Sequence, residues 1–208
     1  MPLRRGSSFD PPPELKAELD RIGWVPSPRV TQRALWVFAY GSLMWSPGFA
    51  VAERAVATLA GWHRSFCIRS SIYRGTPSRP GLALGLERGG SCRGVALRIP
   101  RRRLDATLRE LWRREMPTRA YHARALPVRL ADGRNVRALV FIANANNPQY
   151  DDLSEAELLH RVATGVGVAG HNRDYLLRTI DSLQLLRVHD GRMHRLRRRL
   201  PRAHPEPR

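Results

Sequence analysis

The order in which strand-like and helix-like segments follow one another most restricts the fold of this chain. Strand-like apolar runs come first, one helical pattern follows, two further strands come next, and helical patterns return towards the end. A doubly wound parallel sheet needs strands and helices that alternate regularly, and this order lacks that alternation. We therefore predict an α+β domain in which a mixed, barrel-like β-sheet is surrounded by helices.

Hydrophobic periodicity and turn residues define the individual elements. We predict a strand over 35–39, two strand-like runs around Gly61 and Trp62 within 50–70, a hairpin over 81–99 with its turn at 88–91, and strands over 121–130 and 136–143. Helices are predicted over 100–116, over 154–164 with Ser154 as its cap, and over 172–188.

A chain of 208 residues fits one domain with terminal extensions. Residues 1–34 are predicted to be an extension and linker, with a short helix that Asp10 caps, apolar Leu15, Leu19 and Ile22 on one side of it, and a link at Pro26 and Pro28. The domain itself is predicted over 35–190. Residues 191–208 are rich in arginine and interrupted by proline, which predicts a basic, solvated and mobile tail.

The formal net charge of +18 first suggests a nucleic-acid partner, because clustered arginines neutralise phosphates and release counterions. Nearly all of these cations are arginines scattered through strands and helices, with Lys16 as the only lysine. A biased nucleotide composition of the genome produces the same pattern, so both interpretations stay open. From the basic tail we predict only weak binding to polyanions.

Several classes of protein find no support in the sequence. No segment approaches the roughly 18 consecutive apolar residues of a membrane span, and no apolar leader follows Met1, so we expect a soluble, cytoplasmic protein. Cys67 and Cys92 show no CxxC spacing, and the histidines show no HxxxH spacing, so we expect neither a disulfide framework nor a metal site.

The strand over 35–39 ends in a turn of unusual composition, Tyr40-Gly41-Ser42-Leu43. Glycine weakens a strand and permits another group to approach the backbone closely, and successive free N–H groups at such a turn suit a carboxylate. A plain turn beside a core tyrosine is the alternative. A nucleophile elbow is not indicated, because Met44 stands where GxSxG needs its second glycine.

Several motifs in this order resemble those of one known family. The segment VFAYGSLMWSPGF at 37–49 resembles the strand-and-turn signature of the ChaC-like gamma-glutamylcyclotransferases. Further similar motifs are YRGTP at 73–77, LWRREM at 111–116, NPQY at 147–150 and GVAGHNRDYL at 167–176. The resemblance spans roughly residues 35–187. Several ordered motifs together are far more specific than the turn alone.

The resemblance implies both a fold and a reaction. The implied fold is a compact, mixed β-barrel with surrounding helices, in agreement with the predicted order of elements. The implied reaction cleaves the γ-glutamyl amide of glutathione to 5-oxoproline and Cys-Gly, without a cofactor. Other γ-glutamyl amines or amino acids are alternative substrates, and a nucleic-acid-binding module without catalysis is the alternative of another class.

The resemblance also implies roles for individual residues. By similarity Glu115 is the catalytic carboxyl group that accepts and returns a proton, while Glu110 and Glu87 are interpreted as surface charges. Tyr40, Gly41, Ser42 and Leu43 would bind the glutamyl end of the substrate.

Two further residues are predicted to bind substrate. Tyr150 resembles the family tyrosine near the pocket, with a buried structural tyrosine as the alternative. Arg74 would hold the glycine carboxylate, because a guanidinium fork suits that geometry. Asn172 and Tyr175 are interpreted as structural residues that cap and pack the last helix.

Overall fold

The computed structural model of the chain describes residues 10–21 and 35–201. The helices in this part are α1 (Pro13–Arg21), α2 (Leu104–Glu115), α3 (Glu155–Thr164), α4 (Asn172–Leu185) and α5 (Gly191–Arg199). The strands are β1 (Trp36–Ala39), β2 (Glu53–Ser70), β3 (Gly81–Arg98), β4 (Tyr121–Leu130), β5 (Asn135–Ala143), β6 (Val166–Gly167) and β7 (Gly170–His171).

Within the described residues, strands β1 to β5 close a barrel in the order β1–β3–β2–β4–β5. Strand β1 pairs in parallel with β5, and the other neighbours pair antiparallel. Buried positions alternate along much of β4, as expected for a strand with one face towards the core, whereas every residue of β1 is buried. The prediction of an α+β fold with a mixed, barrel-like sheet is confirmed.

The predicted hairpin over 81–99 is wrong, because β3 is one continuous strand paired along its length with β2. The glycines that suggested a turn lie inside the ladder, where Gly89 and Gly90 have φ of 105° and 67°. They lie opposite Gly61, with φ of 79°, at the point where the register shifts between Ala60 and Trp62. Glycine permits this irregularity in the long β2–β3 ribbon, and the glycine-rich sequence at that point resembles the sequence of a turn.

The predicted helices pack through the apolar stripes read from the sequence. Helix α2 buries Leu104, Leu108 and Leu111, and α4 buries Tyr175, Leu176, Ile180 and Leu183. Ser154 caps α3 in a capping box with Glu157. Asn172 holds the start of α4 against β3, since its side chain accepts from the N–H of Leu82 at 2.6 Å and donates to the carbonyl of Leu82 at 2.8 Å.

The N-terminal helix α1 packs against strand β4. Leu15 and Leu19 are buried, and the Glu18 carboxylate accepts hydrogen bonds from the Ala125 N–H at 2.9 Å and the Arg124 guanidinium at 3.1 Å. The helix begins at Pro13 rather than directly after Asp10. The predicted roles of Ile22, Pro26 and Pro28 lie outside the described residues.

The interpretation of residues from 191 onwards as a solvated, mobile tail is wrong as far as residue 200. Helix α5 buries Met193 and Leu196, and Leu200 is buried directly after it. Asp190 accepts hydrogen bonds from the first N–H groups of α5 and pairs with Arg64, whose side chain is only 1% exposed. The apolar positions and the capping carboxylate therefore fix this segment on the domain, while residues 202–208 lie outside the described residues.

Candidate active site

A cavity of about 620 Å³ opens beside the end of strand β1. Its wall includes the turn at 40–43, the last residues of α2, and Tyr175 and Arg178 of α4. A cleft of this size, with apolar walls and a few convergent polar groups, is typical of small-molecule sites. The barrel thus brings together segments that lie far apart in the sequence.

The turn after β1 forms one wall of the cavity. Ser42–Met44 make a single 3-10 turn in which the Met44 N–H donates to the carbonyl of Gly41 at 2.9 Å. Gly41 has a φ of −133°, which lies outside the left-handed region that favours glycine. A Cβ atom at this position would instead lie 2.9 Å from the Tyr175 hydroxyl. The close approach that the sequence predicts at Gly41 is therefore made by a side chain of α4.

Glu115, the last residue of α2, lines the same cavity as the turn. Its side chain is 17% exposed, and its Oε1 lies 3.1 Å from the Nε of Arg114. Burial raises the pKa of the Glu115 carboxyl, and the Arg114 charge offsets part of that rise. A carboxyl group with a raised pKa in a cleft is suited to exchange protons with a bound ligand near neutral pH.

Arg114 connects the end of α2 to the turn. Its guanidinium donates to the Ser42 Oγ at 2.9 Å and to the carbonyls of Ser46 at 2.8 Å and Pro47 at 3.2 Å. Arg114 therefore fixes the turn relative to Glu115. The sequence analysis missed this residue, although it lies in the LWRREM motif directly before the predicted catalytic carboxyl.

In the described part of the chain, two buried tyrosines, Tyr40 and Tyr175, and the half-buried Tyr121 line the cavity around Glu115. The Tyr40 hydroxyl donates to the carbonyl of Phe141 at 2.7 Å, and the Tyr121 hydroxyl donates to that of Leu84 at 2.9 Å. Burial raises the pKa of Tyr40 and Tyr121 well above the usual value, with the negative charge of Glu115 contributing. All three hydroxyls therefore stay protonated at neutral pH.

Tyr175, interpreted from the sequence as a packing residue, is also part of the site. Burial raises its pKa to about 12, and hydrogen bonds from the backbone at Leu84 and Ser42 offset part of the rise. Its ring packs against Phe66 and Trp45, with centroids 5.8 Å and 5.7 Å away. Tyr175 thus packs helix α4 and presents a polar group to the cavity.

Of the two other predicted binding residues, only Arg74 lies at the cavity. Its Nη1 donates to the carbonyls of Ala169 at 2.5 Å and His171 at 3.5 Å, and its guanidinium lies 4.8 Å from the ring centroid of Tyr175. The predicted binding role of Tyr150 does not match its position: Tyr150 is absent from the described wall of the cavity, and its hydroxyl donates to Glu87 Oε1 at 2.5 Å.

A bridge between Tyr150 and Ile68 fixes this placement, because it holds Tyr150 beside strand β2, where it packs on the small cluster of Cys67, Ile68 and Ala120. Glu87 is correspondingly no simple surface charge, since its side chain is only 26% exposed. It accepts the Tyr150 hydrogen bond and lies 3.8 Å from the Nε2 of His63.

Comparison with known proteins shows the family. Residues 35–202 match the model of the ChaC-like proteins. The chain belongs to the ChaC-like family. Among curated relatives of this ChaC-like protein, the glutathione-specific gamma-glutamylcyclotransferase of Escherichia coli (strain K12) is 38% identical, over 81% of this chain and 73% of the relative. The glutathione-specific gamma-glutamylcyclotransferase 1 of Mus musculus is 30% identical, over 89% of this chain and 85% of the relative.

Solved structures show the same fold for the ChaC-like protein. A gamma-glutamyl cyclotransferase from yeast, described as specific to glutathione, superposes with a TM-score of 0.72 at 20% identity. The superposition covers 78% of this chain and 93% of the yeast chain. The barrel and its helices are therefore the architecture of that enzyme.

Two features are absent from the residues that the structure describes. No group of three or more His, Cys, Asp and Glu side chains in them is arranged to hold a metal ion. In the same residues, none of the helices is both long and apolar enough to cross a membrane.

Tyr121 was not predicted from the sequence to belong to the site, because nothing distinguishes it there from any other aromatic residue in a strand.

Proposed function

We propose that this ChaC-like protein is a gamma-glutamylcyclotransferase that converts glutathione to 5-oxoproline and Cys-Gly. The observation that carries the proposal is the position of Glu115, a half-buried carboxyl with a raised pKa in the cavity that the turn at 40–43 also lines. The glutathione-specific relatives in Escherichia coli (strain K12) and Mus musculus support glutathione as the substrate. The proposal includes a cytoplasmic location, which the free, buried thiols of Cys67 and Cys92 support.

The reaction needs proton transfers at two atoms. Glu115 accepts a proton from the α-ammonium group of the glutamyl residue, and the freed nitrogen then attacks the γ-carbonyl carbon. The new C–N bond closes the five-membered ring as the original γ-amide C–N bond breaks. Glu115 returns the proton to the departing nitrogen of Cys-Gly, and the ring nitrogen gives up its second proton, which brings the released amine to its ammonium form. Glutathione is thereby divided into two products without consumption of water.

The developing charge on the γ-carbonyl oxygen requires hydrogen-bond donors. The turn at 40–43 and the protonated Tyr175 hydroxyl lie in the same cavity as Glu115 and are the donors that we assign to the glutamyl group. Arg114 holds this turn through Ser42. The glutamyl end therefore occupies the buried part of the cavity, and the leaving group extends towards its mouth.

The test measures 5-oxoproline released from glutathione by the wild type and by Glu115→Gln. Loss of a positioned proton-transfer group typically costs about 10² to 10⁴ in rate, so we expect a fall of at least about 100-fold. Glu110→Gln is the matched control on the same helix, since Glu110 is 42% exposed and pairs with Arg113. A Glu115→Gln enzyme that keeps most of its turnover, or a wild type that releases no 5-oxoproline, would refute the assignment.

The first alternative is turnover of other γ-glutamyl compounds. A parallel assay with γ-glutamyl amines and γ-glutamyl amino acids separates that activity from turnover of glutathione.

A weak affinity for polyanions is a second, independent proposal. It is supported by the exposed arginines Arg192, Arg195, Arg197 and Arg198 on α5. These residues lie apart from the described wall of the cavity. Binding there would therefore leave the cyclotransferase activity unaffected.

A further inference from the structure

Only some of the arginines that line the cavity are paired with a carboxylate. Among the described residues, four arginines line it: Arg69, Arg74, Arg114 and Arg178. Arg69 is paired with Asp151, whose Oδ2 lies 3.0 Å from its Nε, and Arg114 is paired with Glu115. Neither Arg74 nor Arg178 forms an ion pair with any residue that the structure describes. Two uncompensated cations therefore face one cavity.

These two arginines are neighbours on either side of Tyr175. The Arg74 guanidinium lies over the Tyr175 ring, and Arg178 follows Tyr175 by one turn of α4. Burial lowers the pKa of Arg74, and the positive charge of Arg178 lowers it further, while Tyr175 and Asp174 act in the opposite direction. Like charges in such proximity repel each other, and a bound anion would relieve that repulsion.

The two guanidiniums differ in the donors they have available. Arg74 already donates to the carbonyls of Ala169 and His171. Arg178 is exposed and makes no hydrogen bond to a described residue, so its donors remain available to a ligand. It lines the cavity together with Ile72 and Tyr73, which are 65% and 62% exposed and mark the mouth.

We propose that Arg178, assisted by Arg74, binds the carboxylate at the far end of the leaving group and thereby determines substrate class. The inference rests on the proposed function, in which the glutamyl end lies deep in the cavity and the leaving group reaches its mouth. The preferred substrates are γ-glutamyl compounds whose leaving amine is an amino acid or peptide with a free carboxylate. Simple γ-glutamyl amines lack that group and are poor substrates.

The test compares glutathione with its glycyl monoethyl ester, in which a neutral ethyl ester replaces the terminal carboxylate. A partly exposed guanidinium–carboxylate contact contributes only moderately to binding affinity. We therefore expect Arg178→Gln to raise the KM for glutathione by about 3- to 10-fold. The kcat for glutathione and both constants for the ester should change by less than about 2-fold. Equal losses for the two substrates, or no loss for either, would overturn the proposal.

Long-range attraction of an anion by a basic protein is the effect that must be separated from direct contact. Arg173→Gln removes the same charge from the same helix, but Arg173 donates to the carbonyl of Pro201 and is not part of the described cavity wall. We expect it to leave the KM for glutathione unchanged. A rise in KM equal to that of Arg178→Gln would show a general charge effect and contradict a specific role for Arg178.

A binding measurement distinguishes failure of this proposal from failure of the proposed function. Calorimetric titration of Glu115→Gln with glutathione and with the ester reports binding without turnover. Adding Arg178→Gln should weaken binding of glutathione and not of the ester. If glutathione binds in this way but no 5-oxoproline is released by the wild type, the carboxylate site stands and the reaction is wrong.

Discussion

At the scale of single residues, Glu115 shows how a catalytic requirement opposes stability. Burial raises its pKa, because ionising the carboxyl costs more in the folded protein than in the unfolded chain. Its contribution to stability is therefore present below the unfolded pKa and is lost as the pH rises through the folded pKa. Glutamine keeps the neutral shape at every pH. We expect Glu115→Gln to be at least as stable as the wild type at neutral pH while it loses activity.

Gly41→Ala is the second change at this scale. The new Cβ would lie 2.9 Å from the Tyr175 hydroxyl, which would have to move away from the turn. We expect turnover of glutathione to fall by about 10-fold or more, because hydrogen-bond donors that are displaced by about 1 Å stabilise the transition state much less. Gly191→Ala, where a Cβ meets nothing within 4 Å, is the control and should remain fully active.

A double variant identifies the cause of the Gly41→Ala defect. Tyr175→Phe removes the hydroxyl that a Cβ at residue 41 would meet, so Gly41→Ala should add little further loss to Tyr175→Phe. Losses that multiply in the double variant would show that residue 41 acts on the substrate independently of Tyr175.

At the scale of secondary-structure elements, helix α5 combines a buried apolar face with an exposed basic one. Met193 is 1% exposed, whereas Arg192, Arg195, Arg197 and Arg198 face solvent. Asp190 caps the start of the helix and is also the partner of the buried Arg64. A buried arginine left without its carboxylate is strongly unfavourable, so α5 and the barrel stabilise each other.

Met193→Ala tests whether α5 is an integral part of the domain. Truncation of a buried methionine typically costs about 2–5 kcal/mol, and we expect that loss in the free energy of unfolding measured with urea. Arg195→Ala changes an exposed position of the same helix and should cost less than about 0.5 kcal/mol. Equal, small effects of the two changes would mean that this segment does not contribute to the folded domain in solution.

At the scale of the whole molecule, where the net charge is +18, some arginines form intramolecular ion pairs with acidic side chains. Glu53 is bound by both Arg98 and Arg134, and Asp151 by both Arg69 and Arg161. These arginines therefore hold strands and loops together. The exposed face of α5 remains as the local concentration of charge from which we propose polyanion binding.

Retention on heparin tests this distribution of charge. Reversal of Arg195 and Arg198 to Glu should lower the salt concentration needed for elution, because fewer counterions are released on binding. The control reverses Arg101 and Arg102, which are exposed in a 3-10 turn before α2 and also change the net charge by four. An equal reduction by both pairs would indicate that net charge, and not the α5 face, governs retention.

Local signals in the sequence were enough to predict the family, the fold class and the helices α2, α3 and α4. Periodic apolar residues and a cap define α2, α3 and α4, because these interactions lie within a few positions of each other. The motifs around the turn at 40–43 and Glu115 predicted two walls of one cavity, and the structure brings both together. The order of strands and helices predicted a mixed barrel, since few architectures accommodate it.

Only the tertiary structure decided which face each segment buries. The glycines of β3 have the composition of a turn, and only the pairing of the whole strand with β2 shows that they lie inside a strand. The many arginines of α5 obscure the periodicity of its buried apolar residues in the sequence. Arg64 and Asp190 are separated by 126 positions, so no local pattern could predict their contact. The same physical reason applies to Tyr150, whose partner is Glu87, and to Arg178, which lines the same cavity as Arg74 only because the fold brings α4 to it.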